Sequence, residues 1–425
     1  MDSLSNVLRF FGHSLGMPSN YSFVKRLGKG TQGDVWLAVD SETNTLVAVK
    51  LVPRGPPAWR LTMIGREARM MARLGAGHVN IVKPLEVVLT GRYVAFVNEY
   101  VRGGSVSDFL KKSRMDEDLA CFLFRQLLHA IAYCHAHKAR GCVAYRDVKP
   151  ANCMLTGPAW PPVLKLADFG LSETWEGREE PMFETLAGTP GYMPPEIMGG
   201  FFSASAAPNY DGTRADIYSA GVMLCVLMLR HMPWEYDRYA ARLPPLEAMR
   251  RLWRLEGVEG VRWRDATSKA ERLSEGLKDL LDRMLDADDA ARPTLDQVQA
   301  HPWVTRQLSP AYESVLTALR EIQARNEASS EPASEAEVAG RLSEVEDLVK
   351  RAATPPAGAT SGFKCHMRVR LAPLPGARGG GGGGGGGDVA AAAAQAAAAA
   401  GGAGAEAATE APAAAEAPAE AARHA

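Results

Sequence analysis

The chain has 425 residues, of which 46% are apolar, so it is long enough for two or three domains with a sizeable core. A formal net charge of −1 argues against nucleic acid or an anionic membrane surface as a partner. The 6 cysteines show no paired metal-ligand spacing and lie mostly among apolar residues, which is typical of reduced thiols. The N terminus has neither a secretion signal nor a glycine after Met1. We therefore expect a soluble intracellular protein, monomeric by default, that binds neither membranes nor nucleic acid.

Residues 1–20 are predicted to be an N-terminal extension, and the sequence assigns it no function. From residue 21 apolar residues alternate in two runs that flank a glycine-rich loop with Gly28, Gly30 and Gly33. This spacing lets backbone N–H groups approach phosphates, but it also occurs in dinucleotide-binding turns and in ordinary loops. Because a second strand and not a helix follows Gly33, the pattern predicts a hairpin that covers the phosphates of a nucleotide.

A third predicted strand, Leu46–Leu51, places Lys50 among apolar residues. A lysine in such a strand is costly unless its charge is paired. Two partners are available, the phosphates of a nucleotide and Glu67 on the following helical stretch, Ile64–Leu74. Without the glycine loop shortly before it, a surface lysine on an edge strand would be the default interpretation of Lys50.

After two more apolar strands, residues 98–104 are interpreted as a linker between a small β-rich lobe and a larger helical lobe. The backbone of such a linker is placed to bind the edge of an adenine ring. Asn98 would lie at the back of that pocket, where an apolar residue is expected, and would narrow the pocket or make it more polar.

Residues 145–152, Tyr-Arg-Asp-Val-Lys-Pro-Ala-Asn, have the layout of a phosphoryl-transfer loop. In this layout Asp147 accepts the proton of the attacking hydroxyl, and Lys149 neutralises the moving phosphoryl group. Asn152 holds a metal ion, and Asp168 of the following Asp-Phe-Gly turn holds Mg²⁺ against the nucleotide phosphates. Either part alone is a weak signal, but both parts in this order, after a glycine loop and a strand lysine, predict phosphoryl-transfer chemistry.

The segment from Asp168 to Glu196 is the part of the chain most suited to regulation. It contains Thr185 and Thr189, which we predict to be regulatory residues. Arg146, next to the predicted base, is expected to bind a phosphate that is placed on this segment.

Downstream of this segment the sequence predicts the supports of the catalytic loop. The apolar run from Ile217 to Leu229 is too short to span a bilayer. Asp216–Leu229 is interpreted as a buried helix, with Asp216 bound to the backbone of the catalytic loop. Arg292 lies in an apolar context and is expected to pair with Glu196. Residues 199–209 are interpreted as a surface loop.

Beyond residue 303 the composition changes. Two acidic, alanine-rich stretches, Ser314–Arg325 and Glu335–Ala353, are helix candidates. Later residues are dominated by glycine and alanine, with an all-glycine run at Gly379–Gly387, and cannot bury enough apolar surface to offset the entropy of ordering. We therefore predict a disordered low-complexity tail.

With these motifs, residues 21–303 resemble a eukaryotic serine/threonine protein kinase domain. The resemblance implies an α+β, two-lobed protein-kinase fold with ATP and Mg²⁺ as cofactors and with proteins bearing Ser or Thr as substrates. The implied parts are a small β-rich N-lobe (21–98), a larger α-helical C-lobe (99–303), a regulatory helical segment (304–358) and the disordered tail (359–425).

The resemblance also implies roles for individual residues. The catalytic residues would be Asp147, Lys149, Lys50 and its partner Glu67, and the Mg²⁺ ligands would be Asn152 and Asp168. The nucleotide contacts would be Gly28, Lys29, Gly30, Gly33, Val35, Ala48, Lys50, Glu99, Val101 and Met154. A stack that reports the active state would consist of Met71, Tyr145 and Phe169.

Within this family the sequence is similar to the plant and algal sucrose-nonfermenting-related kinases of subfamily 2, most clearly at Ser343–Gly358. In that subfamily the corresponding box is a helix that packs on the helix bearing the partner of the strand lysine; a generic acidic helix is the alternative. The resemblance implies stress or nutrient signalling, an upstream activating kinase that phosphorylates Thr185, and a location in the cytoplasm and the nucleus.

Several departures from the family pattern affect these expectations. Ser105 and Ala151 stand where kinases selective for basic motifs carry carboxylates, so a preference for arginine before the phosphosite is in doubt. Tyr145 replaces the commoner histidine, although its ring still stacks. A pseudokinase scaffold or binding module is the alternative function; such proteins usually lack the strand lysine, the base or the metal-binding aspartate, and all three are present here.

Overall fold

The computed structural model of the protein describes most of the chain between residues 15 and 353 and one later segment. The described residues are 15–30, 33–55, 57–74, 77–136, 142–157, 160–175, 182–183, 185–202, 209–236, 240–255, 262–264, 268–329, 335–353, 365–371 and 395. Most of the predicted N-terminal extension, residues 203–208 of the predicted surface loop, the end of the box at 354–358 and nearly all of the predicted tail lie outside these residues.

A six-stranded antiparallel sheet forms the small lobe, in the order β1-β2-β3-β5-β4-β12. In chain order the strands of the described part of the chain are β1 (Tyr21–Lys29), β2 (Asp34–Asp40), β3 (Thr45–Pro53), β4 (Pro84–Thr90), β5 (Tyr93–Glu99), β6 (Val143–Ala144), β7 (Cys153–Leu155), β8 (Leu164–Leu166), β9 (Glu173–Thr174), β10 (Met182–Phe183), β11 (Tyr210–Asp211) and β12 (Cys365–Arg370).

The alternation of side chains along β3 sets the position of the strand lysine. Val47, Val49 and Leu51 are buried in the core of the small lobe. Because the side chains of successive residues in a strand point to opposite faces, those of Ala48 and Lys50 both project from the face opposite to the core. Lys50 therefore points away from the apolar core, toward the cleft between the lobes.

Helices make up most of the large lobe. In chain order the helices of the described residues are α1 (Ala58–Leu74), α2 (Val106–Lys112), α3 (Glu117–Ala136), α4 (Pro195–Phe202), α5 (Gly212–Leu229), α6 (Pro245–Trp253), α7 (Glu275–Met284), α8 (Leu295–Gln299), α9 (Pro302–Thr305), α10 (Pro310–Ser329) and α11 (Glu335–Ala353). Short 3₁₀ turns occur at Pro150–Asn152, Pro233–Glu235 and Ser268–Arg272. α1 belongs to the small lobe and begins 6 residues before the predicted start at Ile64.

The centre of the large lobe is built on α3 and α5. By length and composition both helices are apolar enough to cross a membrane, but 72% and 78% of their apolar windows are buried inside the protein. Their side chains belong to one continuous apolar core. As predicted from the sequence, α5 is a buried core helix.

The C-terminal part of the chain returns to the small lobe. α11 packs along α1, and Val345, Leu348 and Ala352 share a buried cluster with Ala68 and other residues of α1. Helix formation at Glu335–Ala353 and its packing partner agree with the expectation from the subfamily box.

β12 then pairs with the edge strand β4. The prediction of disorder from residue 359 onward is therefore wrong for residues 365–371. Met367, Val369 and Leu371 alternate with arginines, a period of two that is typical of a strand, and this signal was masked by the surrounding glycine and alanine.

The predicted loop at residues 199–209 is also partly wrong, because residues 199–202 form the end of α4. Two glycines and two phenylalanines make a weak helix signal. Phe202 packs against Trp253 of α6 with ring centroids 5.6 Å apart, and this tertiary contact is one that local propensity does not reveal.

Candidate active site

The glycine-rich loop connects β1 and β2 at the edge of the cleft. Gly28 pairs with Val35 across the hairpin, and the N–H of Gly30 donates to the carbonyl of Gly33 over 3.0 Å. A Cβ at Gly33 would lie 2.2 Å from the carbonyl oxygen of Leu51, so no other residue fits there without a shift of the backbone. Lys29, the other predicted contact in this loop, ends β1. The hairpin predicted from the sequence is thus the structure of this segment.

The strand lysine lies in an ion-pair cluster that joins the two lobes. The Nζ atom of Lys50 is 3.0 and 2.9 Å from the two carboxylate oxygens of Glu67 on α1 and 2.9 Å from Oδ1 of Asp168. Although burial lowers the pKa of Lys50, the carboxylates of Asp168 and Glu67 raise it above its usual value. Lys50 is therefore a cation at every physiological pH, held where α1 and the Asp-Phe-Gly turn meet.

The backbone of the catalytic loop is held by Asp216, at the start of α5. Its Oδ2 accepts from the N–H of Tyr145 over 2.8 Å, and its Oδ1 accepts from the N–H of Arg146 over 2.6 Å. Arg146 has a φ of 62°, in the left-handed region that residues other than glycine rarely adopt. The two hydrogen bonds to a fully buried carboxylate stabilise this strained turn and confirm the predicted contact of Asp216.

The carboxylate of Asp147 is surrounded by donors. Lys149 Nζ lies 2.8 Å from Oδ2, Asn152 Nδ2 lies 2.8 Å from the same oxygen, and the hydroxyl of Thr189 donates to Oδ1 over 2.5 Å. Burial raises the pKa of the Asp147 carboxyl, and these donors oppose that rise. Thr189, predicted as a regulatory residue, thus contacts the predicted base and also the Nζ of Lys149, at 2.7 Å.

The two residues predicted to bind a metal, Asn152 and Asp168, lie on adjoining stretches of backbone. The carbonyl of Asn152 accepts from the N–H of Ala167, the residue before Asp168, over 2.9 Å. Asp168 adopts a positive φ of 59°, and its side chain remains 38% exposed. Although burial opposes it, Lys50 and the N–H of Gly170 lower the pKa of Asp168, so it is ionised. Amide and carboxylate oxygens of this kind are the ligands that Mg²⁺ takes, so the residues fit the ion.

The residues predicted to contact adenine lie on both lobes. Val35 on β2, Ala48 on β3 and Met154 on β7 are all half-buried, as expected of apolar side chains that line an open cleft. Ala48 lies directly opposite Asn98 on β5. Met154 forms an isolated bridge with Ser105, which connects β7 to the start of α2.

The linker between the lobes is fixed by an ion pair, Glu99–Lys165, that the sequence did not single out. Oε1 of Glu99 accepts from the Nζ of Lys165 over 2.7 Å and from the N–H of Lys83 over 2.8 Å. Lys165 is buried and would be costly without this carboxylate. Val101, the other predicted adenine contact in the linker, is also buried. The only feature of the sequence that could have indicated this ion pair was the lone lysine in the short strand β8.

Ser105, one of the departures from the family pattern, has a structural role. Its hydroxyl accepts from the N–H of Asp108 over 3.0 Å, and the Asp108 carboxylate reaches back to Ser105, so the pair forms a capping box at the start of α2. Ala151, at the second departure, is exposed in the 3₁₀ turn that ends at Asn152.

A cavity lies behind the adenine site, and Asn98, Glu67, Met71 and Phe169 are among the residues that line it. The sequence placed Asn98 at this position. Phe169 meets Tyr145 edge to face with ring centroids 5.1 Å apart. Of the predicted stack, Tyr145 and Phe169 are therefore in contact, and Met71 on α1 lines the same cavity as Phe169.

Arg146 contacts the segment that was predicted to be regulated. Its Nη1 donates to the hydroxyl of Thr185 over 2.7 Å. The same Nη1 lies 2.8 Å from Oε2 of Glu173, a residue of β9 that sequence reasoning missed. No motif marks Glu173, since only the folded chain brings it to Arg146.

The segment that contains Thr185 ends at a buried ion pair. Arg292, which is fully buried, donates to both carboxylate oxygens of Glu196 over 2.7 and 2.6 Å. This pair, predicted from the apolar context of the arginine, connects the end of the segment to the loop before α8.

The comparisons with known proteins agree with this geometry. Residues 21–304, more than half of the chain, match the family model described as the protein kinase domain. The serine/threonine-protein kinase SRK2D of Arabidopsis thaliana is 33% identical over 290 residues, which cover 68% of this chain and 72% of that protein. The resemblance to plant sucrose-nonfermenting-related kinases is thereby confirmed.

Two further relatives are longer than the matched part. CBL-interacting serine/threonine-protein kinase 12 of A. thaliana is 34% identical over 286 residues, covering 67% of this chain and 52% of that protein. A probable serine/threonine-protein kinase of Dictyostelium discoideum is 30% identical over 296 residues, covering 68% of this chain and 31% of that protein. The chain thus spans about half of the first of these relatives and less than a third of the second.

Proposed function

Because the chain belongs to the protein kinase domain family, we propose that it is a serine/threonine kinase that transfers the γ-phosphoryl group of ATP to hydroxyl groups of proteins. The observation that supports this proposal most directly is the Asp147 carboxylate, which is held by Lys149 and Thr189 in the same cleft as the Lys50 ion-pair cluster.

ATP would bind between the lobes. The glycine hairpin with Gly28, Gly30 and Gly33 would cover the phosphates, with backbone N–H groups as donors. Lys50, oriented by Glu67, would hold the α- and β-phosphates. The adenine ring would lie among the half-buried apolar side chains of the cleft, with its edge on the linker backbone at 99–101.

The transfer step follows from the surroundings of Asp147. A substrate hydroxyl oxygen bonds to the γ-phosphorus while the bond from that phosphorus to the bridging oxygen of ADP breaks. The hydroxyl proton passes to the Asp147 carboxylate, whose raised pKa favours proton acceptance. Lys149, 2.8 Å from Asp147, places a positive charge where the transferred group develops its own negative charge.

Mg²⁺, when bound, neutralises charge on the phosphates. Asp168 and Asn152 would hold it, since carboxylate and amide oxygens suit the ion and the backbone of Asn152 is hydrogen-bonded to the residue before Asp168. Lys50 contacts Asp168 at 2.9 Å, so it orients this ligand in the absence of nucleotide.

The position of α1 connects the C-terminal segment to this site. Glu67 lies on the helix that α11 covers, so we propose that α11 supports the Lys50–Glu67 pair and thereby activity. Protein substrates, an upstream activating kinase, stress or nutrient signalling, a cytoplasmic and nuclear location and a monomeric state stay predictions of this proposal.

The test is transfer of ³²P from the γ-position of Mg·ATP to a degenerate Ser/Thr peptide library. We expect transfer to Ser and Thr peptides and no marked requirement for arginine before the phosphosite, because Ser105 and Ala151 carry no charge. A protein that binds ATP but transfers no phosphate to any peptide would contradict the proposal.

A further inference from the structure

Arg146 is a buried cation that needs an anionic partner. Its side chain is fully buried, and its guanidinium lies 5.3 Å from the ring centroid of Phe183. Nε donates to the carbonyl of Leu171 over 2.8 Å, and Nη1 lies 3.2 Å from the hydroxyl of Tyr210. Those partners are neutral, and a buried guanidinium without an anion is strongly unfavourable.

Glu173 supplies the anion. Its Oε2 lies 2.8 Å from Arg146 Nη1 and 3.5 Å from Nη2 of Arg66 on α1, and it accepts from the hydroxyl of Thr185 over 2.8 Å. One carboxylate oxygen therefore joins the catalytic loop, α1 and the segment that bears Thr185. These are the three parts that a phosphate on this segment would be expected to hold together.

The backbone of Glu173 is held in place. It lies in β9, which pairs with β6 immediately before the catalytic loop, with Glu173 opposite Ala144. Thr185, which donates to Glu173, is held in turn by Tyr210, whose hydroxyl donates to the carbonyl of Thr185 over 2.9 Å. The contacts of Glu173 are therefore made by an ordered strand and not by a loose loop.

From this arrangement we propose that Glu173 takes the place of an activation-loop phosphate. It is a positioning residue that neutralises Arg146 and keeps the segment around Thr185 ordered while Thr185 is unmodified. The inference rests on the proposed kinase function and concerns its regulation. It revises the expectation that phosphorylation of Thr185 is what switches the enzyme on.

A phosphate on Thr185 would meet Glu173 directly. The ester oxygen would be the atom that now lies 2.8 Å from the Glu173 carboxylate. A phosphate carries nearly two negative charges at neutral pH, and like charges at this distance repel. The phosphate must therefore displace Glu173 from Arg146. Phosphorylation adds little stabilisation, because the Glu173 carboxylate already neutralises the guanidinium.

The first experiment measures kcat/KM for peptide phosphorylation by full-length protein that is treated with phosphatase and shown by mass spectrometry to be unmodified at Thr185. We expect this protein to be active, and Thr185→Val to keep at least about a third of the activity. Glu173→Gln, which keeps the shape and loses the charge, should lower kcat/KM at least about tenfold. Glu275→Gln, an exposed glutamate paired with Lys278 on α7, is the matched control.

The rescue variant separates charge from fold. In the Glu173→Gln background, Thr185→Glu restores a carboxylate next to Arg146. Nη2 of Arg146 has no hydrogen-bond partner among the described residues and can donate to this carboxylate. We expect most of the activity to return. With Glu173 present, Thr185→Glu should not raise activity, since Glu173 already pairs with the guanidinium of Arg146. An unmodified wild type that is inactive until Thr185 is phosphorylated, with Glu173→Gln no worse than the control, would overturn the proposal.

A second measurement does not depend on catalysis. Hydrogen exchange of the backbone amides at 185–193 should become faster in Glu173→Gln and slow again in the double variant. If no variant transfers phosphate under any condition, the proposed kinase function is wrong, and the exchange data alone decide the role of Glu173. Equal exchange in the wild type and Glu173→Gln would overturn that role.

Discussion

Arg368, on the last strand of the sheet, binds the carboxylate of Glu86, which lies 282 residues earlier in the chain. Three hydrogen bonds of 3.1, 3.1 and 2.9 Å connect the guanidinium to Glu86, and the hydroxyl of Tyr21 donates to the same carboxylate over 2.6 Å. Glu86 is almost completely buried. The pair anchors β12 to the small lobe.

Removal of this anchor is expected to be costly. Arg368→Leu leaves the buried Glu86 without its cation, and loss of one partner of a buried pair typically costs about 3–5 kcal/mol. The free energy of unfolding from urea titration measures the loss. Arg370, on the same strand, is the matched control because it pairs with the partly exposed Glu42 at 3.2 Å; Arg370→Leu should cost less than about 1 kcal/mol. Equal losses for the two variants would contradict this account.

The packing of α11 on α1 predicts an effect on activity. Leu348 is fully buried in the cluster shared by the two helices. Leu348→Ala should cost about 2–5 kcal/mol of packing and lower kcat/KM, because α1 also carries Glu67. Leu246→Ala on α6, where the side chain is 54% exposed, serves as the control and should leave activity unchanged. Full activity in Leu348→Ala would show that the position of α1 does not depend on α11.

The proposed role of Asp147 as base predicts a separation of binding from turnover. Asp147→Asn keeps the size of the side chain but removes the proton acceptor, so kcat should fall by about 10²–10⁴. The affinity for Mg·ATP, measured by calorimetry, should change little, since the phosphate and adenine contacts lie elsewhere. Asp296→Asn, an exposed aspartate in the first turn of α8, is the control. Retained turnover in pure Asp147→Asn protein would refute the assignment.

The half-buried histidine His78 predicts a dependence of stability on pH. Its Nδ1 accepts from the N–H of Asn80 over 3.1 Å, and its ring lies 4.9 Å from that of Tyr133. The folded protein therefore favours the neutral imidazole, because a protonated Nδ1 cannot accept this hydrogen bond. Burial, with His129 and Lys165 nearby, lowers the pKa of His78 to about 3. The unfolded chain takes up this proton first, so stability is lost as the pH falls from about 6.5 toward 3, by about 1.4 kcal/mol per pH unit at most.

The test for His78 is a comparison of urea unfolding at about pH 7.5 and about pH 5.5 in the wild type and in His78→Asn. Asn can accept the same backbone hydrogen bond and does not titrate. We expect the wild type to lose about 1 kcal/mol more than the variant over this interval. The same loss in both proteins would assign the acid sensitivity to other groups.

Several parts of the structure could be predicted from the sequence because their signals are local or chemically compelling. The glycine hairpin, the acid–lysine–asparagine spacing of the catalytic loop and α11 are patterns within about twenty residues of chain. The pairs Lys50–Glu67 and Arg292–Glu196, whose members are 17 and 96 residues apart, were also predicted. An isolated charge in an apolar stretch requires a counter-charge, and few candidates were available.

Other features were decided by tertiary structure alone. The contacts Glu173–Arg146, Glu99–Lys165 and Glu86–Arg368 join charges that have no spacing pattern. Their partners were brought together by the packing of β9 on β6, of β8 under the linker and of β12 on β4. The strand β12 is also too short to be stable alone and exists because the open edge of β4 offers its unpaired backbone groups. The sequence by itself determined the family and was enough to predict the catalytic residues, since both depend on residue type at fixed spacing. The folded protein alone decides which carboxylate neutralises Arg146 and which segments cover α1 and the edge of the sheet. These contacts depend on distances between segments that are far apart in the chain, and only folding sets those distances.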